Sequence, residues 1–430
     1  MFEKLFNLKN NNTDVKTEVI AGFTTFMTMA YILVLNPQIL SSTGMDKGAL
    51  FTSTAIAAMT GTLLMAFIAN LPFALAPGMG LNAFFAFTVV LKMGYSWHLA
   101  LTAVFIEGII FIVLTAFNIR EAIINSIPAG LKSAISVGIG LFIALMGFIN
   151  AGIIKSDQQT LVSLGNMHSN NVWIAFAGFV VTGVLLILRV RGSLLLGILA
   201  ATITGFFFHE TKIPEYGIVA LPPDISPVFF KLEFKQILKP DILIVLFTFL
   251  FVDMFDTVGT LIGVSAKANL LDKNGSIPKA KQALFADSIA TVLGSILGTS
   301  TVTTYVESAA GVSEGGRTGL TALVVAILFL FTLLISPLFL MIPSAATAPA
   351  LIMIGLFMIS PVRNIDFEDY AEAIPAFLTI MIMPLSFSIS EGIAFGVLSY
   401  VILKVFTGQY KKVSIILYIL SLFFILKFFI

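Results

Sequence analysis

Two aspartates set one helical turn apart in an apolar run are the residues of this sequence best placed to do chemistry. In Phe247-Thr248-Phe249-Leu250-Phe251-Val252-Asp253-Met254-Phe255-Asp256-Thr257-Val258-Gly259-Thr260, the residues Asp253, Asp256, Thr257 and Thr260 follow the i, i+3, i+4, i+7 spacing of a single helix face. Met254, Phe255, Val258, Leu261 and Ile262 cover much of the rest. A carboxylate in mid-membrane costs roughly 2.5–3.5 kcal/mol on insertion scales, so two on one face need a reason. One reason is structural: the pair can bond to threonine hydroxyls or to neighbouring backbone. The other is functional. Such carboxyl groups can carry a proton across and can accept hydrogen bonds from the N–H groups of a small neutral ligand. Carboxylates lining a cavity argue against an anionic one.

Other acids are weaker candidates. Thr304 and Glu307 have the spacing of a capping box, in which the glutamate closes a helix N-terminus. Glu107 is a lone acid in Phe105-Ile106-Glu107-Gly108, equally consistent with a structural and a functional role. Glu391 and Asp287 fall near the ends of apolar stretches, where water can reach them. His98, His168 and His209 are expected in loops, so neither a histidine proton relay nor a metal cluster is read.

Two irregular segments could position these groups. Ala74-Leu75-Ala76-Pro77-Gly78-Met79-Gly80 cannot be regular helix, because a proline and two glycines fall within four residues. A helical run starts near Leu81-Asn82. Thr299-Ser300-Thr301-Val302-Thr303-Thr304-Tyr305 is β-branched and extended in character, and Glu307-Ser308-Ala309-Ala310-Gly311 reads as a short helix. Non-helical backbone at membrane depth is tolerated only where protein or a watery cavity surrounds it. A pair of broken segments in corresponding places points to a transport site, although both could be kinks for close packing.

The rest of the chain supplies the membrane setting. Its 430 residues are 58% hydrophobic and 11% charged, with a mean hydropathy of +1.02. A soluble domain carries about 25% charged residues. A net charge of +1 gives no reason to expect a nucleic-acid partner, and the absence of cysteine excludes disulfides, thiolate metal sites and cysteine catalysis. The polar segment 1–16 reads as a cytoplasmic N-terminus with no cleaved signal peptide. Apolar stretches fall near 17–38, 50–70, 73–91, 97–117, 133–153, 171–188 and 194–208, then near 241–266, 283–298, 300–313, 318–340, 345–360, 372–388 and 391–406. Hydropathy thus predicts an all-α polytopic protein of about fourteen segments, the first ending at Asn36-Pro37. The one long connection, 208–239, holds Pro214, Pro222, Pro223 and Pro227. Arg120, Arg189, Arg191, Lys267, Lys273, Lys279, Lys281, Arg317, Arg363 and the lysines of both termini fall in loops that share one side, which predicts both termini inside. The loop with Asp366, Glu368, Asp369 and Glu372 runs against that bias. The run 413–430 is read as an interfacial or partly inserted helix.

The halves echo each other. Ile56-Ala57…Gly61…Leu64 matches Ile289-Ala290…Gly294…Leu297, and Gly140-Leu141-Phe142 matches Gly355-Leu356-Phe357, in the same order. Seven segments per half would make the repeats inverted.

At the irregular segments the sequence resembles a family. Ala76-Pro77-Gly78-Met79-Gly80-Leu81-Asn82-Ala83-Phe84-Phe85, Phe251 through Thr260, and Gly298-Thr299-Ser300 through Gly311 resemble the third-, eighth- and tenth-span motifs of the AzgA-like purine permeases, a branch of the nucleobase/ascorbate transporter superfamily. Thr17-Glu18-Val19-Ile20-Ala21-Gly22-Phe23-Thr24-Thr25-Phe26 is similar too. The resemblance implies a seven-plus-seven inverted-repeat fold with discontinuous third and tenth spans. It implies a core domain over 17–117 and 240–340, a gate domain over 118–210 and 341–406, a connecting loop at 211–239 and a tail at 407–430. Asn82, Asp253 and Glu307, with Gly80 and Thr304 beside them, would form the substrate site, and Asp256, Thr257 and Thr260 would support coupling. The implied activity is proton-coupled uptake of a purine base, hypoxanthine or guanine ahead of adenine. It would take place in the cytoplasmic membrane, with the proton as coupling ion, no other cofactor, and a homodimeric assembly. A pyrimidine or xanthine carrier, or an uncoupled or sodium-coupled one, is the nearest alternative. No H-E-x-x-H, G-x-S-x-G or nucleotide-binding G-x-x-x-x-G-K-[ST] sequence points to an enzyme or an ATP-driven pump.

Overall fold

A computed structural model describes residues 2–117, 128–157, 160–214, 217–235, 237, 239–267 and 279–429. Arg120 and Lys273, counted above among the internal cations, lie outside them, and the side chains of Phe255, Val258 and Ile262 are not described either. The protein is predominantly helical: α1 Phe2–Phe6, α2 Val15–Met29, α3 Ile32–Ser41, α4 Lys47–Leu64, α5 Met79–Ala83, α6 Trp97–Ala116, α7 Ala129–Asn150, α8 Asn170–Ile187, α9 Ser193–Phe207, α10 Pro240–Lys267, α11 Ala280–Leu297, α12 Ser308–Ser313, α13 Gly319–Thr332, α14 Ser336–Leu340, α15 Ser344–Phe357, α16 Tyr370–Ser386, α17 Ile389–Phe406 and α18 Ile415–Phe429. Wide π-helical turns extend α4 over Met65–Ala69 and α5 over Phe84–Lys92. Among the described residues, 8 helical segments are long and apolar enough to cross a bilayer.

Packing falls into two sets. In one, α11 lies along α6 and α4, and α13 along α2 and α4. In the other, α16 lies along α17 and α7, while α15 contacts α7, α8 and α9. Small residues let the second set close tightly. A Cβ on Gly140 would stand 2.8 Å from the carbonyl oxygen of Gly355, and one on Gly355 would stand 2.5 Å from that of Gly140. These glycines come from the two matched Gly-Leu-Phe triplets.

Helix ends are satisfied by buried polar groups. Glu18, fully buried in α2, accepts from the backbone N–H groups of Arg317 (2.9 Å) and Thr321 (3.0 Å) and from the Thr321 hydroxyl (2.6 Å). Asn70 accepts from Gly319 N–H at 2.8 Å. With the Thr318 hydroxyl, which accepts from Leu320 N–H at 3.3 Å, they serve the N-terminal donors of α13.

Several boundaries depart from expectation. The first segment does not end at Asn36-Pro37: Pro37 lies inside α3, and the break comes earlier, at Ala30-Tyr31. Thr28 bonds back to the Thr25 carbonyl at 2.8 Å, a pattern that bends helices. Asn36 ends nothing; its amide is buried and donates to Thr54 (2.6 Å) and Thr299 (2.9 Å) hydroxyls on other elements. His98 belongs to the first turn of α6, stacked on Trp97, because Ser96 caps the helix just before them. Between α7 and α8 the chain forms a hairpin, β2 Ile154–Asp157 with β3 Leu161–Leu164. The terminal helix α18 packs on α17 and α10, burying Leu417, Leu420 and Phe424.

Candidate functional site

The site is built on two three-residue strands from distant parts of the chain. β1 Leu75–Pro77 pairs antiparallel with β4 Val302–Thr304, Leu75 opposite Thr304, Ala76 opposite Thr303 and Pro77 opposite Val302. The ladder is extended by Gly78 N–H to the Thr301 carbonyl and Tyr305 N–H to the Ala74 carbonyl, both at 2.9 Å. Every strand residue is buried, so the outward backbone groups need partners. Thr62 exchanges two bonds of 3.0 Å with Leu75, Thr291 donates to the Val302 carbonyl at 3.0 Å, and Ser308 accepts from Ala74 N–H at 3.0 Å. The Tyr305 hydroxyl donates to the Pro77 carbonyl and ties the strands side to side. A short helix starts just beyond each strand, α5 at Met79 and α12 at Ser308.

Around this frame the polar side chains converge. On α10, the Thr257 hydroxyl stands 3.0 Å from Asp253 Oδ1, 2.6 Å from the Thr303 hydroxyl of β4 and 3.3 Å from each carboxyl oxygen of Asp287 on α11. Asp253, Thr257 and Asp287 are all fully buried. Asp256, on the next turn, is half-buried, with Oδ2 beside Gly78, where a Cβ would meet it at 3.8 Å. Its carboxyl group lies within electrostatic reach of Asp253 and Glu307. Glu307 does not form the expected capping box. It occupies the N-cap position of α12 itself, its side chain makes no bond to that helix end, and it accepts instead from the Tyr31 hydroxyl at 2.5 Å. Glu307 is also half-buried.

The remaining residues singled out in the sequence are distributed as follows. Asn82 is fully buried on α5; its amide oxygen accepts from the Ser300 hydroxyl, and its Nδ2 lies 3.8 Å from Met79 Sδ. Gly80 faces α7, where a Cβ would come within 2.9 Å of Ile139 Cγ2. Thr304 is buried in β4, and Thr260 is half-buried one turn past Thr257. Glu107 accepts from the Thr301 hydroxyl at 2.8 Å and so supports the strand from α6.

Asp287 corrects the sequence reading. Expected to be solvated, it is fully buried, because α11 begins two turns before it and carries it inward against α10. An acid inside Ala286-Asp287-Ser288-Ile289-Ala290 is the signal that could have found it. Tyr31, Ser300 and Thr303 were missed for another reason: each is ordinary in sequence and acquires meaning only from a partner on a distant element.

The comparisons with known proteins agree with this architecture. The sequence profile described as the Permease family matches residues 16–395. The chain is 45% identical to the adenine permease AdeP of Escherichia coli K12, over 99% of this chain and 96% of that protein. It is also 45% identical to the guanine/hypoxanthine permease PbuG of Bacillus subtilis 168, over 98% of each. In fold it is similar to the transmembrane domain of the cyanobacterial bicarbonate transporter BicA, with a TM-score of 0.64 and 16% identity over 89% of this chain and 97% of that one. The chain is therefore a multi-pass membrane permease rather than an enzyme, and it belongs to the Permease family, in the branch of the AzgA-like purine permeases.

Proposed function

We propose that this permease is a secondary active transporter that takes up purine nucleobases with protons across the cytoplasmic membrane, hypoxanthine and guanine ahead of adenine. The observation that carries the reading is the meeting of half-buried Asp256 and Glu307 with buried Asp253 and Asn82 around the β1–β4 frame. A neutral base presents ring N–H donors and carbonyl or ring-nitrogen acceptors. Glu307 and Asp253 accept, and the Asn82 amide, its oxygen already held by Ser300, offers Nδ2 as a donor to the base. Gly80 and Thr304 shape the space beside it. Asp256, Thr257 and Thr260 support coupling, and half-buried Asp256, beside Gly78, also suits direct contact with substrate. The adenine and guanine/hypoxanthine permeases among its relatives favour a purine over a pyrimidine or an anion.

The mechanism follows from a seven-plus-seven inverted repeat of fourteen segments, the third and tenth discontinuous, with both termini cytoplasmic. The core, 17–117 and 240–340, moves against the gate, 118–210 and 341–406, and the two subunits of a homodimer hold the gates still. Purine and proton load on one side, the core shifts, and both leave on the other. The test is uptake of labelled hypoxanthine into proteoliposomes under an inward proton gradient, with adenine, guanine, xanthine and uracil as competitors. Accumulation that collapses with a protonophore supports the reading. Uptake driven by sodium alone, or competition by uracil alone, overturns it.

A further inference from the structure

Tyr31 stands in the two-residue gap between α2 and α3, where the first helix is interrupted. Its ring is packed to 2% exposure, and its hydroxyl donates to Glu307 Oε1 at 2.5 Å. Glu307 sits at the N-cap of α12, where the N–H groups of Ser308, Ala309 and Ala310 already bond to the Tyr305, Val306 and Glu307 carbonyls, and its carboxyl points to Tyr31. Nearby, the Thr28 hydroxyl lies 3.5 Å from the Glu307 carbonyl, so the interruption of the first helix touches this residue at both backbone and side chain.

A glutamate has three rotatable side-chain bonds, and an unanchored one samples many carboxyl positions. A charge-assisted bond to one oxygen removes most of that freedom and leaves the second oxygen in a fixed place. Glu307 as a residue is half-buried rather than fully enclosed, as a group that meets a ligand has to be. The packed ring makes the hydroxyl itself immobile, so the anchor is rigid on both sides.

We propose that Tyr31 is a positioning residue of the substrate site: it holds one oxygen of Glu307 so that the other meets a ring N–H of the base. The assignment rests on the reading of Glu307 as a substrate acceptor. It makes the first helix break a third component of a site otherwise built from the two strand–helix segments. Because a preset Glu307 binds the base equally before and during translocation, losing the anchor weakens binding without slowing turnover.

The test is Tyr31→Phe, which keeps the packed ring and deletes only the hydroxyl. In proteoliposomes, KM for hypoxanthine is expected to rise about tenfold while Vmax stays within about twofold. N1-, N7- and N9-methylhypoxanthine serve as competitors. The analogue lacking the N–H that Glu307 accepts should inhibit wild type and Tyr31→Phe with the same constant. An unchanged KM overturns the assignment, as does a fall in Vmax at constant KM with a lowered melting temperature, which is the signature of a purely structural role. A wild-type protein that takes up no purine overturns the functional reading itself, so the two failures are distinguishable.

Discussion

Asp253 and Asp287 compete for one proton donor, the hydroxyl of Thr257, which lies 3.0 Å from the first and 3.3 Å from both oxygens of the second. A hydroxyl has one hydrogen to give, and the Thr303 hydroxyl at 2.6 Å links the cluster to the strand frame. Removing either carboxylate changes which group Thr257 serves. Asp287→Asn is expected to lower proton-driven hypoxanthine uptake at least about tenfold, because the buried network loses an acceptor at the strand frame. Size-exclusion and melting profiles should remain those of folded protein. Wild-type uptake by Asp287→Asn would leave Asp287 as a packing residue.

Asp253→Asn and Glu307→Gln are each expected to abolish uptake while membrane insertion and expression stay normal. The amides preserve shape and remove the charge that, in the proposed site, accepts a base N–H. The measurement is purine uptake normalised to folded protein in the membrane. Full uptake by one variant removes that residue from the site.

Gly311 separates α12 from α2 by the width of a hydrogen atom. A Cβ there would fall 2.4 Å from the Ala21 carbonyl oxygen, which is backbone and cannot rotate away. Gly311→Ala is expected to destabilise the protein by about 1–3 kcal/mol, the range for forcing an extra methyl into a packed interior. Thermal unfolding in detergent reads the change directly. An unchanged melting temperature would mean that α12 shifts freely, contrary to a site built on its fixed position.

The acidic loop that ran against the charge bias has a local explanation and a testable asymmetry. Lys404, 2% exposed, pairs with Glu372 at 3.1 Å and Asp369 at 3.5 Å. The two acids can reach water, whereas the lysine cannot. The double variant Asp369→Asn/Glu372→Gln, which strands a buried cation, should therefore melt below Lys404→Met, which leaves only solvated acids. The Ala371 N–H, and then Lys404, hold the Asp369 carboxyl below its ordinary range. Its contribution is thus present at neutral pH and is lost as the medium is acidified below about pH 4. Melting curves across pH should show that loss in wild type and not in Asp369→Asn.

The helix face carrying Asp253 and Thr257 was legible because helical periodicity is local: residues four apart meet whatever surrounds them. Local chemistry likewise marked Pro77-Gly78 and the threonine-rich run at Thr299–Thr304 as poor helix. What no local pattern carries is that Leu75 faces Thr304, or that Tyr31 reaches Glu307. Both are pairings between remote segments, and a tyrosine in an apolar run looks the same whether its hydroxyl meets lipid headgroups or a carboxylate. The capping box failed for a related reason. Thr304 was taken up by the strand pairing and Glu307 by Tyr31, so long-range partners outbid the local motif.

Arg191, in the turn between α8 and α9, pairs with Glu314 at the far end of the helix that Glu307 begins. In the proposed mechanism, a motion of the core against the gate would break this bond. With no native cysteine in the chain, Arg191→Cys/Glu314→Cys can be labelled without background. Bridging the two with a bifunctional methanethiosulfonate should stop uptake, and reductant should restore it. Undiminished transport by the bridged protein would show that these segments never separate.

The contact between Gly140 and Gly355 has a bearing on ancestry. Under the proposed inverted repeat, a residue that touches its own counterpart lies where the two-fold axis relating the halves passes, as at the centre of an isologous dimer. At such a point the two halves of that repeat would not be independent of each other. A methyl group added to either glycine strikes the backbone of the other, and the room to accept it has to be made in the opposite half of the sequence.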